Sequence, residues 1–148
     1  MRHRLWYPSS VLGDSIEHAL RRALESESSL AWAYLFGSAA RGEGFRDVDV
    51  AVMPCETGLA RLVDLGQLQS RLARVVAADV DLVDLRRAPL VLVQSVLACR
   101  RVLLDRDRDR RHVWEAETLS RSLDFEPIRR RYLALREERL RQRLAAGG

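Results

Sequence analysis

The stretch Asp47-Val-Asp-Val-Ala-Val-Met53 constrains this chain more than any other. Acidic and apolar residues alternate over its first half, a period of two that belongs to a β-strand and not to a helix. Asp47 and Asp49 therefore leave the same face of one strand. Carboxylates held that close repel each other, an unfavourable arrangement unless a cation stands between them. A second stretch, Asp79-Val-Asp-Leu-Val-Asp84-Leu85, repeats the pattern. If the two strands are neighbours, Asp81 comes beside the pair. Asp79 shares the face of Asp81 and is its rival, whereas Asp84 points the other way and reads as structural. An all-oxygen ligand set suits Mg²⁺ or Mn²⁺, and three carboxylates from two strands suffice for two divalent ions.

The rest of the sequence reads as a scaffold for these strands. Ile16, Ala19, Leu20, Ala23 and Leu24 follow helical spacing within 14–27. Leu30 to Phe36 is a short aromatic-rich run that predicts a buried strand, broken by Gly37-Ser38. A polar, glycine-rich loop spans 41–46, and Pro54 ends the acidic strand. An apolar stripe at helical spacing begins with Leu59, Leu62, Val63 and Leu65 and runs to Val76. Pro89 opens a further helix reaching Ala98. Val102 to Leu104 predicts a short edge strand, and two amphipathic helices are expected over 111–122 and 126–145. The fold class that follows is α+β, a small mixed sheet covered by helices. Residues 1–104 form the core, and 105–148 a helical extension of the same domain.

A chain of 148 residues is long enough for one domain with a real core. No apolar run approaches the roughly 18 residues of a membrane span. The first ten residues lack a signal-peptide apolar stretch, so a cytoplasmic protein is expected. Cys55 and Cys99 show no metal-ligand spacing and read as small buried hydrophobes in a reducing compartment. His3, His18 and His112 read as surface or local contacts, and Trp6, Trp32 and Trp114 as packing residues. All 25 basic residues are arginine, and they are unevenly placed. Residues 1–99 hold 11 Arg and 12 acidic residues, whereas 100–148 hold 14 Arg and 9 acidic residues. The basic tail reads first as a solvated helical face, with an acidic partner or nucleic acid as the alternative.

Gly37-Ser38 supplies the other half of a reaction centre. A glycine after a buried strand lets the backbone approach a ligand closely. A helical turn opened by Ser38-Ala39-Ala40 presents free N–H groups to an anion. The Ser38 hydroxyl adds a donor, and Arg41 adds charge on the same side.

Together, Leu35-Phe-Gly-Ser-Ala-Ala-Arg-Gly-Glu-Gly-Phe-Arg-Asp-Val-Asp-Val-Ala-Val52 and Asp79-Val-Asp-Leu-Val-Asp-Leu-Arg-Arg-Ala-Pro89 resemble the minimal nucleotidyltransferase (MNT) family of the DNA polymerase β-like superfamily. The resemblance covers about residues 14–104. The gap from Gly-Ser to the first Asp is eight residues, Ala39 to Arg46, against about ten in the family pattern, a difference a loop tolerates. The resemblance implies a nucleotidyltransferase fold and a metal-dependent enzyme that moves a nucleoside monophosphate, AMP from ATP by default, onto a hydroxyl. It makes Asp47, Asp49 and Asp81 the catalytic metal ligands, and Gly37, Ser38 and Arg41 the nucleotide-phosphate binders.

Only about 44 residues follow Leu104, too little to cradle a large acceptor, so the acceptor is expected on another protein or subunit. Small proteins of this kind resemble the MNT antitoxins of HEPN/MNT toxin–antitoxin pairs. That resemblance implies AMP transfer to a tyrosine of a HEPN-type toxin, with the tail stripe Ile128, Tyr132 and Leu135 as a candidate docking face. Two alternatives stay open: an antitoxin acting by binding alone, and a homo-oligomeric nucleotidyltransferase acting on RNA or a small molecule.

Overall fold

The computed structural model describes residues 11–44, 46–55 and 64–147, apart from the side chains of 11–13, 125–129 and 132. Leu59, Leu62 and Val63 of the expected stripe, Trp6 and His3 lie outside the described residues.

Seven apolar residues form β1, Leu30–Phe36, and all seven are buried. A strand so apolar on both faces belongs at the centre of a sheet, where neighbours satisfy both edges. Strand β2, Asp47–Pro54, lies antiparallel on one side of β1, and β4, Arg101–Asp105, antiparallel on the other. Strand β3, Asp79–Asp84, lies parallel to β2, giving the order β3-β2-β1-β4. The expected edge strand is thus β4, and the two acidic strands are neighbours.

Helices follow from the connections these strands require. Between β1 and β2 stands only the one-turn α2, Gly37–Ala40. The parallel pair β2 and β3 needs a crossover, which carries α3, Leu65–Val76. Asp64 caps α3 by accepting from the Gln67 backbone N–H at 3.0 Å. Helix α1, Val11–Glu25, precedes β1, and α4, Leu90–Cys99, joins β3 to β4 after Pro89.

The strand period of two sorts the core into two layers. Val48, Val50, Val52 and Val80 pack with Leu20, Leu24, Leu68 and Leu72 of α1 and α3. On the other face, Trp32, Tyr34, Phe36, Ala51 and Met53 pack with Val93, Val96 and Leu97 of α4. Odd-numbered β2 positions face α4, so Asp47 and Asp49 belong to that face. Arg106 donates to the backbone carbonyls of Glu25, Glu27 and Leu30 and so fixes the turn between α1 and β1.

The tail differs from expectation. One continuous helix, α5, Arg108–Ala146, replaces the two expected over 111–122 and 126–145. It runs through Pro127, where the missing N–H removes one backbone bond. Flanking residues such as Leu133, Ala134, Arg136 and Glu137 are strong helix formers that favour continuation. Asp107 caps its start by accepting from the Arg110 N–H at 3.2 Å. Its first turns are bonded to the sheet: Tyr34 donates its hydroxyl to Glu115 Oε1 at 2.6 Å. Arg100 grips both oxygens of Glu115 at 3.1 Å. Arg111 bridges Glu115 at 2.9 Å and Asp105 at 2.8 Å. Trp114 packs on Trp32 with ring centroids 5.7 Å apart, and the Arg110 guanidinium sits 5.2 Å from the Trp32 ring. From Leu123 onward every described residue is exposed.

Cys55 and Cys99 are free thiols, half-buried rather than buried. Their sulfurs lie 3.7 Å from the Ser28 carbonyl and 3.6 Å from the Ser95 carbonyl, so partial exposure leaves each a weak backbone contact. His18 and His112 are exposed. Among the described residues no helix is long and apolar enough to cross a membrane.

Candidate active site

Strand register gathers the acidic positions. Antiparallel pairing sets Phe36 opposite Asp49, so the chain leaves β1 into Gly37 beside the start of β2. Parallel pairing sets Asp81 opposite Asp49 and Asp79 opposite Asp47. Four carboxylates thus share one face at one end of the two strands. Asp84 stands apart: its carboxylate takes the Arg86 backbone N–H at 2.9 Å and the Arg86 guanidinium at 3.0 Å. Although burial acts to raise it, these bonds hold Asp84 below the usual carboxylate range. It is structural, as the sequence suggested.

Asp49 is the electrostatic centre of the group. Burial pushes its pKa up first, the charges of Asp81 and Asp47 push it further, and Arg41 pulls it down. Asp81 is therefore the β3 carboxylate whose field acts on Asp49, while Asp79 stands beside the outer Asp47. Among the described residues no three Asp, Glu, His or Cys side chains are gathered into a ready-made cation site. An all-oxygen donor set whose central member is pushed toward protonation by its neighbours fits a divalent ion, which relieves the repulsion on binding.

Gly37 closes the arrangement. It holds φ +71°, in the left-handed region, and a Cβ there would fall on Asp49 Oδ2. A one-turn helix follows, with no side chain capping its start. Ser38 is half-buried in that turn, and its carbonyl accepts the Glu43 N–H at 3.1 Å. The Gly37 carbonyl accepts the Arg41 N–H at 3.2 Å, which folds the loop back on itself. Arg41 is exposed and paired with Glu43 at 3.2 Å, with Cys99 Sγ 3.9 Å from its Nη1. It lies close enough to Asp49 to stabilise the carboxylate, and it is held by a surface ion pair.

Residues 18–109 match the family model described as "Polymerase beta, Nucleotidyltransferase". The chain belongs to the polymerase beta nucleotidyltransferase family. Within this family, it is 44% identical over 68 residues to the protein adenylyltransferase MntA of Shewanella oneidensis. That match spans 43% of this chain and 46% of MntA, so it takes in about half the length of the relative. The fold resembles a crystal structure of a toxin–antitoxin with AMP-PNP: 29% identity, TM-score 0.62, 76% of this chain and 94% of the matched one. It also resembles the tri-AMPylated Shewanella oneidensis HEPN toxin in complex with MNT antitoxin: 27% identity, TM-score 0.60, 78% and 94% of the two chains.

The structure brings Asp47, Asp49, Asp79 and Asp81 onto one face beside Gly37, and the sequence did not announce the contact of Gly37 with Asp49. The sequence also missed the Tyr34–Glu115 anchor, whose partners lie 81 residues apart with no local pattern to join them.

Proposed function

We propose that this chain is an antitoxin that transfers AMP from ATP to a hydroxyl of a HEPN-type toxin, a tyrosine by resemblance. The carrying observation is Asp49, flanked in the strand register by Asp47 and Asp81 and seated against Gly37. The adenylyltransferase name of MntA and the AMPylated HEPN toxin beside an MNT antitoxin support this reading. The toxin–antitoxin structure with AMP-PNP supports a nucleoside triphosphate as donor.

In this reading Asp47, Asp49 and Asp81 would hold divalent ions, Mg²⁺ or Mn²⁺. Such ions supply charge neutralisation on the triphosphate and acidify the attacking hydroxyl. Gly37 and Ser38 hold the phosphates from the other side, the glycine because a backbone without Cβ admits close approach, the serine through its hydroxyl. Arg41 swings from Glu43 onto a phosphate oxygen. The acceptor oxygen attacks the α-phosphorus in line, a P–O bond forms to AMP, the bond to pyrophosphate breaks, and the hydroxyl proton leaves to solvent. Positioning and charge stabilisation carry such a reaction, and the residues offer both.

The test is incubation with α-labelled ATP and Mg²⁺, with and without a purified HEPN-type toxin, alongside a D47A/D49A double mutant. Label on the HEPN-type protein with wild type and none with the mutant supports the reading. A tight complex formed equally by both, with no label transferred, overturns it and leaves an antitoxin that acts by binding.

A further inference from the structure

Two concavities lie on one side of α5. The first, about 460 Å³, sits between α4, α5 and the far end of β2, with Met53, Leu85, Val93 and Trp114 in its lining. It shares the sheet face of Asp49 but borders the opposite end of the strand. The second, about 430 Å³, runs along the exposed arm at Leu135, Arg136, Arg139, Leu140 and Arg143. At 100° per residue the fourteen residues from Arg121 to Leu135 return the helix to within about 40° of the same direction. The two concavities therefore follow one face of one helix. Ile128 and Tyr132 fall in that register between them in the sequence, at positions whose side chains lie outside the description.

That face is basic and apolar at once. The described linings hold six arginines, Arg86, Arg110, Arg121, Arg136, Arg139 and Arg143, against one carboxylate, Glu117. Arg86 is paired with Asp84, Arg110 lies over the Trp32 ring, and Arg121 donates to Thr118 Oγ1 at 3.4 Å. Between them stand Val113, 57% exposed, and Leu135, 54% exposed. From Leu123 to Gly148 the sequence carries seven arginines and four carboxylates. A solitary helical arm gains most of its stability from burying an apolar face, and this one buries none of its described residues.

We propose that this face docks an acidic, amphipathic helical surface of a partner protein. Identifying that partner with the AMP acceptor rests on the function proposed above. Charge complementarity selects an acidic surface, and the apolar lining selects side chains that insert between the arginines. A nucleic-acid backbone satisfies the arginines and leaves Val113, Trp114 and Leu135 uncovered. An interfacial membrane helix separates arginines from leucines onto opposite faces, whereas here they share one. A second copy of this chain sets arginine against arginine.

The test is titration calorimetry of the full chain with a purified HEPN-type toxin, comparing wild type, R121E/R139E and R22E. Arg121 and Arg139 are exposed, and Arg22 lies in α1, which covers the other face of the sheet. R121E/R139E is expected to weaken binding about tenfold to a hundredfold. Its thermal midpoint, and its rate of AMP transfer at saturating partner, are expected to match wild type. R22E is expected to bind as wild type does. The proposal is overturned if R121E/R139E binds the partner undiminished, if R22E weakens binding equally, or if wild type does not bind. It is likewise overturned if the double reversal changes only binding to tRNA, to phosphatidylglycerol vesicles, or between copies of this chain. Should wild type bind yet transfer no label, the functional reading falls, while the docking face is still decided by the charge reversals.

Discussion

Gly37 and Asp49 are locked to each other: a Cβ on the glycine would occupy the place of Asp49 Oδ2, and the glycine backbone stands at φ +71°. Gly37→Ala therefore acts twice. The left-handed conformation costs an L-residue about 1–2 kcal/mol, and the new methyl displaces the central carboxylate. A misplacement of about 1 Å at a reacting centre costs on the order of a hundredfold in rate. The expected outcome is a folded protein with a lowered melting temperature and AMP transfer reduced about a hundredfold or more. A G37A variant that transfers AMP at the wild-type rate would remove this contact from the mechanism.

Asp49→Asn separates stability from function. Burial, then Asp81 and Asp47, raise the Asp49 pKa, so its ionised form is held in the fold against repulsion. A carboxylate whose folded pKa is raised loses stability as pH climbs above its unfolded value, about 3.9, and carries the full cost above the folded one. Removing its charge in metal-free buffer at pH 7 is expected to leave the melting temperature unchanged or higher. Mg²⁺ with a non-hydrolysable ATP analogue is expected to raise the melting temperature of wild type and not that of the variant, and AMP transfer is expected to be lost. A metal-free variant that melts well below wild type would show Asp49 to be a structural residue instead.

The acidic strands were legible because a period of two and a carboxylate are both local signals. Asp47-Val-Asp set the shared face, and β3 fell beside β2 as the placing of Asp81 required. What the sequence withheld depends on pairing between distant segments. The choice between Asp79 and Asp81 turns on register, since both occupy one face and only Asp81 comes opposite Asp49. Arg41 shows a contact that spacing alone does not announce, because Glu43 two residues on captures its guanidinium. The tail was divided between 122 and 126, where no sequence feature joins the two amphipathic segments, and the structure runs one helix across that gap and through Pro127. Here strong helix formers such as Leu133, Arg136 and Glu137 accompany the proline, and α5 continues through it.

The network around Glu115 is expected to set the acid limit of the fold. Burial pushes this carboxyl up, but hydrogen bonds from Tyr34, Arg100 and Arg111 outweigh it and hold the group below its usual range. A carboxylate depressed in the fold contributes stability that is present above its unfolded pKa, about 4.3, and is lost as pH falls through the folded value. Asp105, held down chiefly by its bond from Arg111, adds in the same direction. Glu115→Gln is expected to lose about 2 kcal/mol at pH 7, since it uncouples Arg100 and Arg111. It is also expected to flatten the decline in stability below about pH 4.3. Urea unfolding between pH 3 and 7 checks both, and an acid limb as steep in the variant as in wild type would place the titrating group elsewhere.

Ala77 offers a gain in stability that touches neither site nor arm. It ends α3 at φ 52° and ψ 38°, its N–H bonded to the Ala73 carbonyl, the left-handed cap that glycine usually supplies. Alanine there carries about 1 kcal/mol of strain from its Cβ. Glycine releases that strain but gives the unfolded chain more freedom, which takes back roughly half of it. Ala77 is exposed, so no packing is lost with the methyl. Ala77→Gly is expected to stabilise the fold by about 0.5 kcal/mol and raise the melting temperature by about 1–2 °C, with AMP transfer unchanged. A lowered melting temperature would mean that entropy of the unfolded chain outweighs strain at this cap, the reverse of the balance its φ implies.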